Sequence, residues 1–159
     1  MTVDRRTFRE ALGRFASGVC VVTTTDQDGK PAGVTISAFA SLSLDPPLVL
    51  FCIGKGSANL SAWLNGAHFS INVLSDHQTA ISQMFASQNN DKFAITPGSW
   101  GENGCFSIDD CLVTLECRRT RIHDEGDHYI IIGLVERAAF GDSERKPLLR
   151  FRAAYGRLG

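Results

Sequence analysis

Residues 34–38 and 69–74 alternate apolar and polar at every second position, the period of a strand with one wet face. Residues 19–24, 32–37, 69–74, 111–123 and 129–140 read as strands, and residues 48–53 form a continuous apolar run of strand length. Asp28-Gly29-Lys30-Pro31 and Asp124-Glu125-Gly126-Asp127 lie between neighbouring strands and have hairpin chemistry. Helical spacing is confined to three places. Phe8, Leu12 and Phe15 predict a helix over residues 7–16, with Thr7 and Glu10 as a capping box and Gly18 at the stop. Residues 57–64 predict a short helix capped by Ser57, burying Leu60, Trp63 and Leu64 and ending at Asn65-Gly66. Asp76 can cap another, with Ala80, Ile81, Met84 and Phe85 inward. Residues 88–104, polar and carrying Pro97, Gly98, Gly101 and Gly104, read as a long loop. Residues 141–147 read as a charged loop, and residues 148–155 as a last strand or an irregular tail. Strands joined by short turns, with a few helices at the margins, point to an antiparallel sheet that curls closed.

At 159 residues the chain is predicted to be one domain, residues 1–159, large enough to bury a core without staples. A formal net charge of −1 gives no electrostatic case for nucleic acid or an anionic membrane. No apolar run reaches the length of a membrane span, and residues 1–9 lack the apolar core of a signal peptide. Cys20, Cys52, Cys105, Cys111 and Cys117 are odd in number and form no CxxC pair. Cys111 and Cys117 fall on one face of a single predicted strand. Reduced thiols in a cytoplasmic protein are the expectation.

Residues 33–57 concentrate the candidate chemistry. Small hydroxyl residues, Ser37, Ser41 and Ser43, are separated by Phe39 and Leu42, and Asp45-Pro46-Pro47 then stops the segment. Small residues let backbone amides and carbonyls approach the edge of a flat polar ring. Thr35-Ile36-Ser37 and Ser41-Leu42-Ser43 suit that task, and Lys55-Gly56-Ser57-Ala58 suits a single phosphate. An ordinary buried strand pair with a serine-rich connection fits the same pattern. Gly54-Lys55-Gly56-Ser57 is not a Walker loop, because Val49 stands where that motif needs glycine, and no GxGxxG is present.

Taken in order, several motifs resemble one family. They are Phe15-Ala16-Ser17-Gly18-Val19 with Val21-Val22-Thr23-Thr24, Gly33-Val34-Thr35-Ile36-Ser37-Ala38-Phe39, and Ser41-Leu42-Ser43-Leu44-Asp45-Pro46-Pro47. Gly126-Asp127-His128 and Tyr155-Gly156-Arg157-Leu158 follow. The set resembles the short-chain flavin reductases, the flavin-reductase-like split-barrel family that includes reductase components of two-component flavin monooxygenases. The resemblance spans nearly the whole chain. It implies a mainly β fold, an antiparallel Greek-key split β-barrel of the FMN-binding type with a few flanking helices. It implies an NAD(P)H:flavin oxidoreductase that passes hydride from NADH or NADPH to FMN or FAD and supplies reduced flavin to a separate monooxygenase. A homodimer, with parts of each flavin site near the interface, is implied as well.

By the same resemblance, His128 lies where the nicotinamide approaches the flavin, positioning it or donating a hydrogen bond near the reacting centre, and Asp127 orients it. From the residues alone the favoured reading of His128 is a surface turn histidine. The implied flavin contacts are Thr35, Ile36, Ser37, Ala38, Ser41, Leu42, Ser43 and Cys52, with Lys55, Ser57 and Ala58 at the phosphate. Asp91-Lys92-Phe93 resembles the family's segment near the flavin, so Lys92 is expected to face a phosphate and Phe93 to cover the ring. A solvated charge and a core anchor fit those two residues as well. Tyr155 is expected near the flavin or at a dimer contact. Arg145, Lys146, Arg150, Arg152 and Arg157 make the tail basic, which scattered surface charge explains too.

No metal site is expected: His123 and His128 flank a turn without a third ligand, and His68 and His77 are isolated. No GxSxG or other nucleophile motif is present. Two other readings stay open: a non-catalytic split barrel that holds flavin or haem, and an oxidase of a pyridoxine-type substrate. The absence of an arginine cluster in a nucleotide motif favours NADH over NADPH.

Overall fold

The computed structural model describes residues 2–88 and 91–159. Its centre is a seven-stranded antiparallel sheet built from β2 (Cys20–Thr25), β3 (Pro31–Ile36), β4 (Phe39–Leu44), β5 (Pro47–Gly54), β6 (His68–Val73), β9 (Val113–Glu125) and β10 (His128–Phe140). The spatial order is β3-β2-β6-β9-β10-β5-β4, so β3 and β4 are the two edges. Only Ser37 and Ala38 separate these strands along the chain. Three consecutive Cα steps of 3.8 Å span at most about 11 Å, so the edges must come together. The amide of Cys52 donates to the carbonyl of Ala38 at 3.1 Å across this meeting point. The sheet is therefore curled into a split barrel, as the alternation predicts.

Alternate residues fill the inside of the curl: Cys20 and Val22, Ala32 and Ile36, Val49, Phe51 and Ile53, Phe69 and Ile71, Cys117 and Ile131, with Ala62 and Trp63. The last two come from α2 (Leu60–Asn65), which lies between β5 and β6 in sequence. Phe51 meets Phe69 and Trp63 edge-on, at ring-centre distances of 5.1 and 6.0 Å. A second core forms outside β2, β3 and β6, from Val19, Val21, Leu74, Phe85, Phe106, Ile108, Cys111 and Leu148. α3 (Thr79–Phe85), α4 (Lys92–Ile95) and a hairpin of β7 (Gly98–Trp100) and β8 (Phe106–Ile108) roof it. Gly33 admits this roof, because a Cβ there would stand 2.6 Å from the Phe85 ring. β1 (Ser17–Gly18), β11 (Leu149–Phe151) and β12 (Ala154–Gly156) form a separate small sheet.

Several local expectations are corrected. The first helix, α1 (Arg5–Gly13), starts earlier than residue 7, because the Asp4 carboxylate accepts from the amides of Arg6 and Thr7 and from the Thr7 hydroxyl. It buries none of its residues, and Phe8, Leu12 and Phe15 stay exposed. Ser57 does not cap α2; Asn59, in the left-handed region, holds the N-cap position without a side-chain capping bond. Gln78 rather than Asp76 precedes α3, where Ala80 is exposed and Ser82 joins Phe85 in the interior. The expected long loop, residues 88–104, contains α4 and β7, and Asn89 and Asn90 within it lie outside the described residues. Cys111 precedes β9 and enters the outer core while Cys117 points into the barrel, so the two do not share a face. The hairpin turns fall where expected, with Gly29 and Gly126 at φ 77° and 59°.

Candidate functional site

The β3–β4 crossing makes a notch in the barrel rim. Ile36 turns into the core, and Ser37 is exposed beside it. Among the described residues the amides of Ser37 and Ala38 have no hydrogen-bond partner. Across the notch, β5 presents Cys52 and Gly54 outward while Phe51 and Ile53 are buried. In the register of β5 with β10, Cys52 faces Ile130 and Gly54 faces His128. Cys52 and His128 are thus diagonal neighbours across the ladder, about 7–8 Å apart on one face of the sheet. The chain turns sharply after β5, with the Ser57 amide donating to the Gly54 carbonyl at 2.9 Å. The Ser57 hydroxyl and the amides of Gly56 and Ala58 have no partner among the described residues.

His128 opens β10 at the mouth of this notch. Its Nδ1 is 2.6 Å from Asp127 Oδ1. This hydrogen bond, together with the electrostatic attraction of the imidazole, holds the Asp127 carboxyl below the ordinary value. An ionised carboxylate only accepts, so Nδ1 carries the proton. In the neutral ring Nε2 is then an acceptor. It faces Gly54, 3.6 Å from where a Cβ would stand, with the Ser57 hydroxyl also close to that point.

The other predicted residues divide into groups. The Thr35 hydroxyl donates to the Ser82 carbonyl at 2.6 Å, and the Ser82 hydroxyl meets the Tyr155 hydroxyl at 2.8 Å. A cavity of about 200 Å³ opens here, walled by Thr35, Ile36, Ser37, Ser82, Arg150 and Tyr155 among others; His128 is not one of its walls. The Lys92 ammonium donates to the carbonyls of Ser87 and Gly33 at 3.0 and 3.4 Å, and burial pushes its pKa down. Phe93 packs within the outer core against Phe85 and Phe106, and Trp100 stacks on it. Lys55 bonds Asp124 at 2.5 Å instead of pointing into open space. Ser41, Leu42 and Ser43 are on β4 beyond the crossing. Ser41 pairs with Val49, five residues from Gly54 and so about 17 Å along β5. The structure therefore gathers Ser37, Ala38, Cys52, Ser57, Ala58, Asp127 and His128 at one rim. It sets Thr35 and Tyr155 behind that rim, Lys92 and Phe93 beneath it, and residues 41–43 away from it. Sequence reasoning gave no role to Ser82 or Gly54; only the long-range register reveals their places.

The rim suits a flat, hydrogen-bonding ligand: free backbone donors at Ser37 and Ala38, an outward apolar Cys52 and Ile130, and a hydroxyl with two free amides at residues 56–58. Residues 12–159 match the model of the family described as "Flavin reductase like domain". A Rhizobium meliloti protein named probable flavin reductase is 43% identical over 96% of this chain, which spans only 48% of that relative. The Agrobacterium fabrum protein named FMN reductase (NADH) SmoA is 44% identical, with coverage of 98% of this chain and 87% of the relative. HsaB of Mycobacterium tuberculosis, named the reductase subunit of a flavin-dependent monooxygenase, is 39% identical over 96% of this chain and 82% of its own length. Among solved structures, the Streptomyces globisporus NADH:FAD oxidoreductase SgcE6, in complex with NAD and FAD fragments, superposes with a TM-score of 0.92. It is 32% identical, and the match covers 100% of this chain and 97% of that one. With a match across nearly its full length, this chain belongs to the flavin reductase like family.

Proposed function

We propose that the protein is an NADH-dependent flavin reductase whose flavin lies in the notch between the Ser37-Ala38 crossing and the end of β5, with the nicotinamide approaching past His128. The observation that carries this reading is the placement of unpartnered amides, an outward Cys52 and the Asp127-held imidazole on one rim. The relatives' names, FMN reductase (NADH), NADH:FAD oxidoreductase and monooxygenase reductase subunit, support the cofactors and a separate oxygenase as the consumer of reduced flavin.

A bound flavin supplies the ring that accepts hydride from the reduced nicotinamide. The residues of this chain bind and orient. Donors at Ser37 and Ala38 fit the carbonyl edge of the ring, where negative charge grows as hydride arrives. The Ser57 hydroxyl and the amides at 56 and 58 fit the phosphate. With Nδ1 held by Asp127, His128 turns Nε2 toward the notch, where it suits the carboxamide of the nicotinamide and holds that ring in place.

A homodimer completes the reading. The outer face of β5 and β10 carries half-buried Leu48, Leu50, Ile130, Ile132 and Leu134, beside exposed Leu42 and Leu44. Together with the unburied apolar face of α1, this surface suits a second copy of the chain. No described helix is long and apolar enough to cross a membrane. The five free cysteines suit a reducing compartment, and we place the protein in the cytoplasm.

The test crosses FMN and FAD with NADH and NADPH in a spectrophotometric assay. Steady NADH oxidation that requires added flavin is the expected result. Saturable flavin binding with neither nicotinamide oxidised would overturn the reading in favour of a binding module.

A further inference from the structure

Lys55 touches both arms of the hairpin that carries His128. Its backbone amide donates to the Asp127 carbonyl at 2.9 Å. Its ammonium bonds Asp124 Oδ1 at 2.5 Å and sits 5.2 Å from the centre of the Tyr129 ring. Asp124 and Tyr129 are partners across the hairpin, each one residue in from the strand ends Glu125 and His128, and Asp127 lies in the turn between the strands. The ladder between β5 and β10 ends at the pair Gly54 and His128, so the turn projects past the last cross-strand contact with β5. The orientation of the imidazole is set from that projecting turn, through Asp127.

We propose that Lys55 is a positioning residue for the nicotinamide step: it clamps the β9–β10 hairpin to the turn after β5 and so fixes where His128 stands above the notch. This inference rests on the functional reading above. An exposed ion pair contributes little to stability, so the clamp acts on geometry rather than on folding. Lys55 reaches Asp124 with its side chain and Asp127 with its backbone, which limits hinging of the turn between those two points. Small displacements of an orienting group change rates far more than they change stability. Asp124, Asp127 and Tyr129 all favour the charged ammonium, in keeping with its engagement there. The contrasting role, Lys55 as a ligand of the flavin phosphate, makes the opposite forecast for Asp124, because removing that carboxylate would release the lysine to the flavin.

The experiment uses the full chain and four variants: Lys55→Met, Asp124→Asn, Lys55→Arg, and the exchange of Lys55→Asp with Asp124→Lys. KM and kcat are read for NADH, the FMN Kd is read by fluorescence, and the imidazole signals of His128 are followed by NMR without ligand. Lys55→Met and Asp124→Asn are each expected to raise the NADH KM about three- to tenfold, with the FMN Kd within about twofold of wild type. Both should shift the His128 signals. Lys55→Arg and the charge exchange should restore KM and signals together. Weaker FMN binding in Lys55→Met with tighter binding in Asp124→Asn would overturn the proposal in favour of the phosphate ligand. Unchanged KM and unchanged His128 signals in both single variants would overturn it as well. If the wild type oxidised no NADH with any flavin, the functional reading would fail, while the ligand-free His128 signals would still decide the clamp.

Discussion

The outer surface of β2, β3 and β6 and that of β4, β5 and β10 belong to one curled sheet, but only the first is roofed. α3, α4 and the β7–β8 hairpin close over the first surface, and Phe85 there is 1% exposed. The second carries half-buried Leu48, Leu50, Ile130 and Ile132 on its outer face, and Leu44, at the C-terminal end of β4, is 95% exposed. One surface is spent on the fold; the other is the one proposed above for a second copy of the chain. The notch lies where the two surfaces meet, at the Ser37-Ala38 crossing.

Truncation is the strongest way to break this contrast. Phe85→Ala is expected to cost about 3–5 kcal/mol in urea unfolding, through lost burial and the cavity left behind. Leu44→Ala should cost almost nothing in the monomer. Similar losses at the two positions would erase the distinction. At the notch, His128→Ala should lower kcat/KM for NADH about 100-fold while the FMN Kd stays near wild type. Collapse of FMN affinity with normal turnover per bound flavin would remove His128 from the nicotinamide side.

A smaller effect is expected on assembly. If the proposed homodimer forms, Phe8→Glu combined with Leu12→Glu, at positions 52% and 57% exposed, should leave monomers in analytical ultracentrifugation without loss of fold. Unchanged sedimentation would remove α1 from the interface. The Asp127 carboxyl, held down by its hydrogen bond to His128, should titrate below the ordinary carboxylate value of about 3.9 in a ¹³C experiment. The sign follows from the lowered value: the pair is fully formed above that pH and is lost as pH falls. A midpoint at or above it would contradict the bond. The mildest test is thiol labelling. Burial pushes Cys20, Cys105, Cys111 and Cys117 up to about 12, and Cys52, raised less, is the half-exposed thiol. One thiol per chain should react in the native state, and FMN should slow it.

The barrel strands were legible because a two-residue period needs only composition and order. The hairpins were legible because Gly29 and Gly126 take conformations that other residues resist. Helix starts were less so. Thr7 and Glu10 look like a cap, but Asp4, three residues upstream, offers a carboxylate that takes the same amides and the Thr7 hydroxyl. α4 and β7 are four and three residues long, too short for any period to show. The bond of Lys55 to Asp124 was not legible, because sequence cannot show which residue a long hairpin brings beside the lysine. The split of residues 35–43 into a rim and a distant strand end came from pairing register alone: Ala38 meets Cys52, while Ser41 meets Val49.

The central claim is the place of the flavin, and a crystal structure of the chain with FMN tests it most directly. The account predicts the ring against the Ser37-Ala38 backbone and Cys52, its phosphate at Ser57, and its open face toward His128. A flavin bound elsewhere, with that rim filled by protein, would contradict it.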